Sequence, residues 1–364
     1  MQIKDVTNYI EQLAPLSYAE DFDNVGLLIG NYATEVTGVL VTLDTLEETV
    51  DEAIANNCNL IVSFHPIVFS GLKKINGNNY VERVVLKAIQ NNIAIYATHT
   101  ALDNVNNGVS AKMGEVLGLE NMKTLIPKKG IIKKLTTYVP FAEANNLREK
   151  LFEAGAGNIG NYDNCSFNVE GKGSYRGNEN SNPTVGEKGK LMFEEETCIT
   201  VTFDSYLEGK ILSTLFKNHP YEEVAYEVIT LDNPNQNVGM GMIGELPSAM
   251  NEKDFLLFVK ETFKTGCVRH SELLDKPIKK VAVLGGSGSF AIKNAMRAGA
   301  DAYISADFKY HEFFKAEKRI LLADVGHYES EQFTKKLLVD YLSKKFSTFA
   351  IILSEKSTNP IHYI

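Results

Sequence analysis

The chain has only four cysteines in 364 residues, at Cys58, Cys165, Cys198 and Cys267, with no CxxC pair among them. That spacing excludes a disulfide framework and a thiolate zinc site, and it fits a reduced, cytoplasmic protein. Positive charge is also short. Lys and Arg total 37 against 46 Asp and Glu, for a formal net charge of −9. Phosphate backbones and anionic membranes are bound by clustered cations, so neither is expected as the main partner. The longest basic cluster, Lys128-Lys129 to Lys133-Lys134, is short enough to be a solvated stretch. No apolar run reaches the ~18 residues of a transmembrane helix. The first residues lack the basic-then-apolar order of a signal peptide.

What is present is a globular composition with 44% hydrophobic residues. The length allows about two to three domains of ~100–200 residues. Ile3, Val6, Ile10 and Leu13 predict an opening amphipathic helix that stops near Pro15. Asp23-Asn24 before Gly26 predicts a turn, or the edge of a pocket. Apolar runs predict strands at 38–43, 59–64 and 93–97. Helices are predicted after Asp44 (with Thr45 and Glu48 as a capping box), over 80–91 and over 108–118. This rhythm is that of a parallel sheet with crossover helices. From about residue 126 the order becomes β-α-β-β-α-β, the ferredoxin-like split unit, with a polar loop over 171–190. After Asp232-Asn233-Pro234-Asn235 the first rhythm resumes. The expected organisation is an α/β core made of a first lobe, 1–125, and a second lobe, 236–364. An α+β insert, 126–235, interrupts it.

The two lobes look alike. Leu43 to Phe64 spans 21 residues and Leu284 to Ala306 spans 22, each a strand-helix-strand interval. Each lobe then ends further strands in polar residues. Four of the seven histidines (His65, His99, His311, His327) follow predicted buried strands, with Asp103, Asp307 and Glu331 close by. Open α/β sheets bind ligands at strand carboxyl ends. His99 with Asp103, and His327 with Glu331, are four apart, so each pair shares one helical face. Imidazole with carboxylate suits Zn, Fe, Mn, Co or Ni. Two such pairs plus His65 are enough for two divalent ions, which would activate a water and clamp an oxyanion or phosphate. A solvated surface pair has the same spacing, and spacing alone leaves both readings open. The run Gly285-Gly286-Ser287-Gly288-Ser289 is either a tight strand-to-helix turn or a phosphate loop built on Gly286, Ser287 and Gly288. It matches neither a Walker A loop nor GxGxxG. His219-Pro220-Tyr221 predicts a helix-to-strand turn.

Taken together, DNVGLLIG at 23–30, SFHP at 63–66, HTALD at 99–103, LGGSGS at 284–289, SADFKYHEF at 305–313 and GHYESE at 326–331 resemble the NIF-three-like family, also called GTP cyclohydrolase 1 type 2 homologues. The resemblance covers essentially the whole chain. HPYEEVAYEV at 219–228 is similar to the CutA- and PII-like domain that some members carry inserted. The resemblance implies a toroidal homohexamer with a dinuclear divalent-metal centre between the lobes. It assigns His65, Asp103, His327 and Glu331 as metal ligands; His99 and His311 are separate candidates for acid/base groups or substitute ligands. Where the family has a consecutive His-His before the proline, this chain has Phe64-His65. One ion is therefore expected to bind firmly and a second weakly or through a substitute ligand. The expected function is a metal-dependent hydrolase acting on a phosphorylated or nucleotide-like small molecule. The alternative is a non-enzymatic hexameric metal-binding sensor or assembly protein, with a small effector as its ligand.

Overall fold

The computed structural model describes all 364 residues, Met1 to Ile364. The chain divides into two compact units, Met1–Pro127 with Asn237–Ile364, and Lys128–Gln236. No helix is long and apolar enough to cross a membrane.

The first part of the larger unit runs α1 (Ile3–Leu13), β1 (Gly26–Ile29), β2 (Val39–Thr42), α2 (Glu47–Ala55), β3 (Leu60–Ser63), α3 (Tyr80–Gln90), β4 (Ala94–Ala97), α4 (His99–Asp103), α5 (Val109–Val116) and β5 (Glu120–Lys128). The smaller unit holds β6 (Ile132–Pro140), α6 (Ala144–Glu153), β7 (Phe167–Tyr175), β8 (Met192–Asp204), α7 (Glu208–Asn218) and β9 (Tyr226–Leu231). The chain continues through β10 (Asn235–Met250), α8 (Glu252–Thr262), β11 (Arg269–His270), β12 (Ile278–Ser287), α9 (Ile292–Arg297), β13 (Ala302–Ala306), β14 (Leu321–Asp324), α10 (His327–Glu331), α11 (Thr334–Lys345) and β15 (Ile351–Leu353).

Two sheets organise the larger unit. The first has the order β1-β4-β3-β2-β15, parallel except for β1. Its central strands are short apolar runs buried on both faces, as a helix-covered parallel sheet requires. Val50, Ala53, Val84 and Ala88 of α2 and α3 pack on Leu40, Ile61 and Ile95. The second sheet has the order β11-β14-β13-β12-β10-β5. Strands β12, β13 and β14 are parallel, like β2, β3 and β4, so the repeated interval in the sequence is a repeated arrangement in space.

Each half lends a strand to the other's sheet. Strand β15 pairs Ile351 with Val39 in the first sheet, and β5 lies beside β10 in the second. The lobes are therefore not the simple spans 1–125 and 236–364. Strands β5 and β10 carry no apolar alternation that would announce them: Pro127, Pro247, Gly239, Gly241 and Gly244 interrupt it.

Other local expectations change for identifiable reasons. Helix α2 is capped at Leu46, not Thr45. The Thr49 hydroxyl donates to the Leu46 carbonyl at 2.7 Å and accepts from its N–H at 2.5 Å. The stretch expected to be one helix from 326 to about 342 is two, α10 and α11. The polar loop begins later than expected, because Gly171 and Gly173 lie in β7, paired with β8.

The smaller unit follows the order β-α-β-β-α-β, with an antiparallel sheet of order β7-β8-β6-β9. Helices α6 and α7 cover one face, burying Leu147, Leu151, Ile211 and Leu215 against Leu135, Ile199 and Val201.

Helix α8 shows how sequence decides packing. Asn251 accepts a hydrogen bond from Asp254 N and satisfies an orphan donor of the first turn. Phe255 and Val259, one turn apart, are fully buried against the second sheet, whereas Leu257 is 60% exposed. Phe255→Ala is expected to cost about 3–5 kcal/mol, the cavity-plus-transfer loss for a buried phenylalanine. Leu257→Ala is expected to stay within about 0.5 kcal/mol. Urea unfolding of the two variants measures the contrast.

Candidate metal centre

The polar residues that end the parallel strands of both sheets come together. Asp44 follows β2, His65 follows β3, His99 follows β4, Asp307 follows β13, and His327 follows β14 after Gly326. The strands stop where Pro66 removes a ladder donor, and where His99 (φ +25°) and Asp307 (φ +58°) enter the left-handed region. Left-handed backbone at a non-glycine residue is uncommon and clusters at functional sites. Here its two instances turn side chains toward one cleft.

Each of three imidazoles is held at Nδ1 by its own carboxylate. Asp44 lies 2.8 Å from His65 Nδ1, Asp23 lies 2.7 Å from His99 Nδ1, and Asp307 lies 2.7 Å from His327 Nδ1. A carboxylate at one ring nitrogen orients the ring, leaves Nε2 free and raises its basicity, which is the usual support of a metal-ligating histidine. The carboxylates are themselves fixed. Asp23 accepts from the Thr100 N–H at 3.0 Å, and Asp44 accepts from the Thr358 hydroxyl at 2.5 Å. Asp324, buried at the end of β14, accepts from Phe308 N at 2.9 Å and Gly326 N at 3.1 Å and pairs with Arg269. It thus braces the backbone on either side of the Asp307–His327 pair.

Glu331 closes the group. It stands one turn beyond His327 on α10, and its Oε2 lies 3.2 Å from His65 Nε2 and 3.3 Å from His327 Nε2. Those contacts pair charge without the alignment of hydrogen bonds, so Oε2 remains a buried free acceptor. The ligand atoms of His65, His327 and Glu331 all lie within 4.8 Å of one another, so the three form a group that could hold a metal ion. Asp103 stands outside this tight group but within its field, and its Oδ1 is buried with no partner. The partnerless Asp103 oxygen, and a Glu331 oxygen held only by ion pairs, form with the anchored imidazoles a donor set that a divalent cation would satisfy.

The charges are strongly coupled. Burial disfavours the imidazolium of His65, but Asp44 and Glu331 outweigh it and push the pKa up to about 10. In the same way Asp307 and Glu331 carry His327 to about 11 against burial. Burial would raise Glu331, yet His327 and His65 hold it at about 2. Asp103 is raised well above the usual carboxylate range, by burial and then by Glu331, against the opposing pull of His65.

The other expected site residues fall differently. His99 lies beside the group, its ring 5.3 Å from that of His65. His311 is exposed on the turn 310–316, in ring contact with Tyr310 and Phe314, and does not join it. The glycine run is no phosphate cradle. Gly286 and Ser287 belong to β12, the Gly286 N–H donates to Ser330 Oγ, and the Gly288 N–H turns to Ala306 O. Its role is space, since a Cβ on Gly286 would lie 2.3 Å from Glu331 Oε1. Phe64, which stands where a first histidine before His65 was expected, is fully buried, with its ring 4.9 Å from His65 and 5.6 Å from His99. Sequence reasoning passed over Asp44 as a strand end. The correspondence between the halves carried the signal, because Asp44 and Asp307 each follow a parallel strand and grip a histidine from a neighbouring strand.

Fold and cleft together define a two-sheet α/β protein with an imidazole–carboxylate group at the strand ends. The Duf34/NIF3 (NGG1p interacting factor 3) family profile matches residues 1–360, and the chain belongs to that family. A "GTP cyclohydrolase 1 type 2 homolog" of Bacillus subtilis strain 168 is 37% identical over 367 residues, covering 99% of this chain and 98% of the relative. One of Halalkalibacterium halodurans is 36% identical, with the same coverage. A crystal structure of a Bacillus cereus protein related to NIF3 is 35% identical, covers 100% of this chain and 99% of that one, and superposes with a TM-score of 0.86. Staphylococcus aureus protein SA1388, 30% identical, covers the same shares with a TM-score of 0.80.

Protons compete with a cation here. Both central histidines carry protons at neutral pH, with pKa values of about 10 and 11, so a cation must expel them. Roughly two protons are expected to leave per ion near pH 7, and affinity should fall as pH falls. Calorimetric titration in buffers of different ionisation enthalpy counts them. In the metal-free protein the raised histidines stabilise the fold fully below pH 6.5, and lose that contribution as pH rises through about 10 to 11. Glu331 contributes fully above pH 4.5 and loses it as pH falls through about 2. Asp44→Ala should weaken metal binding about 10–100-fold by releasing His65.

Proposed function

We propose that the protein is a metal-dependent hydrolase acting on a nucleotide-like or phosphorylated small molecule. The observation that carries this reading is the convergence of carboxylate-anchored imidazoles from both sheets on the buried Glu331 carboxylate, whose Oε2 is held by ion pairs and takes no aligned hydrogen bond. His65, His327 and Glu331 would hold one divalent ion. Asp103, with His99 as a substitute for the residue replaced by Phe64, would complete a weaker second position. A divalent ion bound there supplies Lewis acidity, polarising a carbonyl or phosphoryl oxygen. Zn, Fe, Mn, Co and Ni all suit the donor set.

The chain's own residues do the rest. Asp44 and Asp307 fix the two imidazoles so that Nε2 faces the cleft. His99, fixed by Asp23, stands beside them as the group able to give or take a proton at Nε2. Phe64 walls the site with apolar surface and limits water. The nucleotide-like substrate class rests on the name borne by the relatives, and GTP is accordingly the first compound to try.

The smaller unit is read here as a ferredoxin-like module of the CutA/PII type, supported by its element order and its antiparallel strand order. A homohexamer in the cytoplasm completes the proposal. Light scattering on the purified protein should then give six times the 40.4 kDa chain mass.

The decisive experiment measures metal content and turnover on the same samples. Wild type should bind a divalent metal and hydrolyse GTP or another phosphorylated compound. His327→Ala and Asp103→Ala should each lower metal affinity at least about tenfold and abolish turnover. A wild-type protein that binds no divalent metal, or variants that bind it unchanged, would show the reading to be wrong. Metal binding with no turnover on any such compound would leave the sensor reading in its place.

A further inference from the structure

The smaller unit contains a cavity of about 690 Å³, within the range of small-molecule sites, ~300–1,000 Å³. Its floor is the sheet face opposite α6 and α7. The strand register sets Val169 beside Cys198 and Cys198 beside Tyr138, with Gly171 opposite Glu196 in the next row. Gly173, two residues further along β7, leaves room for the Glu196 carboxylate to lie across the strand. A Cβ on Gly173 would fall 2.1 Å from its Oε2.

The walls are aromatic. The Tyr221 hydroxyl donates to Glu196 Oε1 at 2.9 Å, and the Tyr175 ring lies 6.2 Å from that of Tyr221. Buried His219 sets the turn that carries Tyr221. Its Nε2 lies 3.0 Å from Tyr138 O, and its Nδ1 accepts the Tyr221 N–H at 3.1 Å.

The roof is the segment 176–190, tied down in three places. Tyr175 Oη donates to Val185 O at 2.7 Å, Thr184 Oγ1 donates to Pro220 O at 3.0 Å, and Asn182 N donates to Glu222 Oε1 at 2.6 Å. Gly189 N donates to Gly177 O at 2.8 Å and closes the neck of the loop. The cavity therefore has a built floor, wall and roof.

Its charge is as specific as its shape. Glu196 takes part in no ion pair and, beyond the Tyr221 hydroxyl, keeps an oxygen free. One lining cation, Lys172, is drawn over the Phe193 ring, 5.6 Å from its centroid. Glu222 and Glu223 add negative charge along the lining, and Arg176 is the other lining cation. Burial, and then the neighbouring carboxylates, keep the Tyr175 and Tyr221 hydroxyls protonated, as neutral donors. An anion entering here would meet an uncompensated carboxylate at the floor. A cation would meet that carboxylate and a lining that includes three tyrosine rings.

We propose that this cavity binds a small organic cation, an ammonium or guanidinium group on a short apolar body. Glu196 accepts the charged N–H groups, and Tyr138, Tyr175 and Tyr221 enclose the body. The site lies wholly within the smaller unit and does not depend on the metal centre.

The test titrates the full-length protein with butylguanidinium, butylammonium and butyrate, followed by NMR shifts and calorimetry. At least one of the two cations should bind wild type, and butyrate should not. Glu196→Gln, which keeps shape and removes charge, should weaken the cation about tenfold or more. Gly173→Ala, which displaces the carboxylate, should do the same. Both variants should keep the metal content and melting temperature of wild type. The inference is overturned if neither cation binds at millimolar concentration, if butyrate binds as well as the cations, or if both variants bind like wild type. The comparison of cation with butyrate needs no variant, so a variant that fails to fold leaves the test intact.

Discussion

A buried carboxylate must be paired, and this one is paired from two directions. Glu331 is shut away from water on α10 and lies against His327 of its own helix and His65 of the other sheet. Breaking a buried charge pair by removing one partner typically costs about 3–5 kcal/mol, since the remaining charge is stranded. That constraint ties the two halves of the larger unit together at their strand ends. It also accounts for the anchoring carboxylates. An imidazole that must meet Glu331 at one nitrogen is held by Asp44 or Asp307 at the other, so the rings have little freedom. Without a cation the group is an ion-pair cluster; with one, the same atoms become a ligand set. Stability and binding thus draw on a single constellation.

Much of this was legible in the residues. Short apolar runs ending in His65, His99, Asp307 and His327 announced buried parallel strands, because a strand covered on both faces has no room for polar side chains until it emerges. The spacing of His327 and Glu331 announced a shared helical face. The equal intervals in the two halves announced that both sets of polar ends belong together. Other features were hidden for physical reasons. His311 follows a strand as closely as the others do, yet Asp307 turns left-handed and the segment beyond it runs out along the surface. The glycine run has the composition of an anion loop, but the Gly286 and Gly288 N–H groups are engaged within the fold, and Gly286 makes room for Glu331. Strands β5 and β10 are defined by their neighbours in the sheet, and a single-chain pattern cannot register a neighbour.

The two units divide their chemistry by charge. In the larger unit carboxylates are matched with imidazoles in a donor set suited to a divalent metal ion. In the smaller, Glu196 is left unmatched among aromatic rings, a setting suited to a soft and bulky cation. Gly173 of β7 matters for the same reason as Gly286. In both places the absence of a Cβ lets a carboxylate occupy a position that any other residue would deny it.

The exchange of strands between the sheets has a consequence for synthesis. Val39 is paired with Ile351, 312 positions later (351 − 39). The first sheet is therefore without its edge strand until β15 has left the ribosome. Contacts so distant in sequence make folding slow and leave an open strand edge meanwhile. The smaller unit, whose strands pair among themselves, is free of that delay. It can be complete while β2 still waits for its neighbour, so residues made some three hundred positions later are the ones that close the first part of the fold.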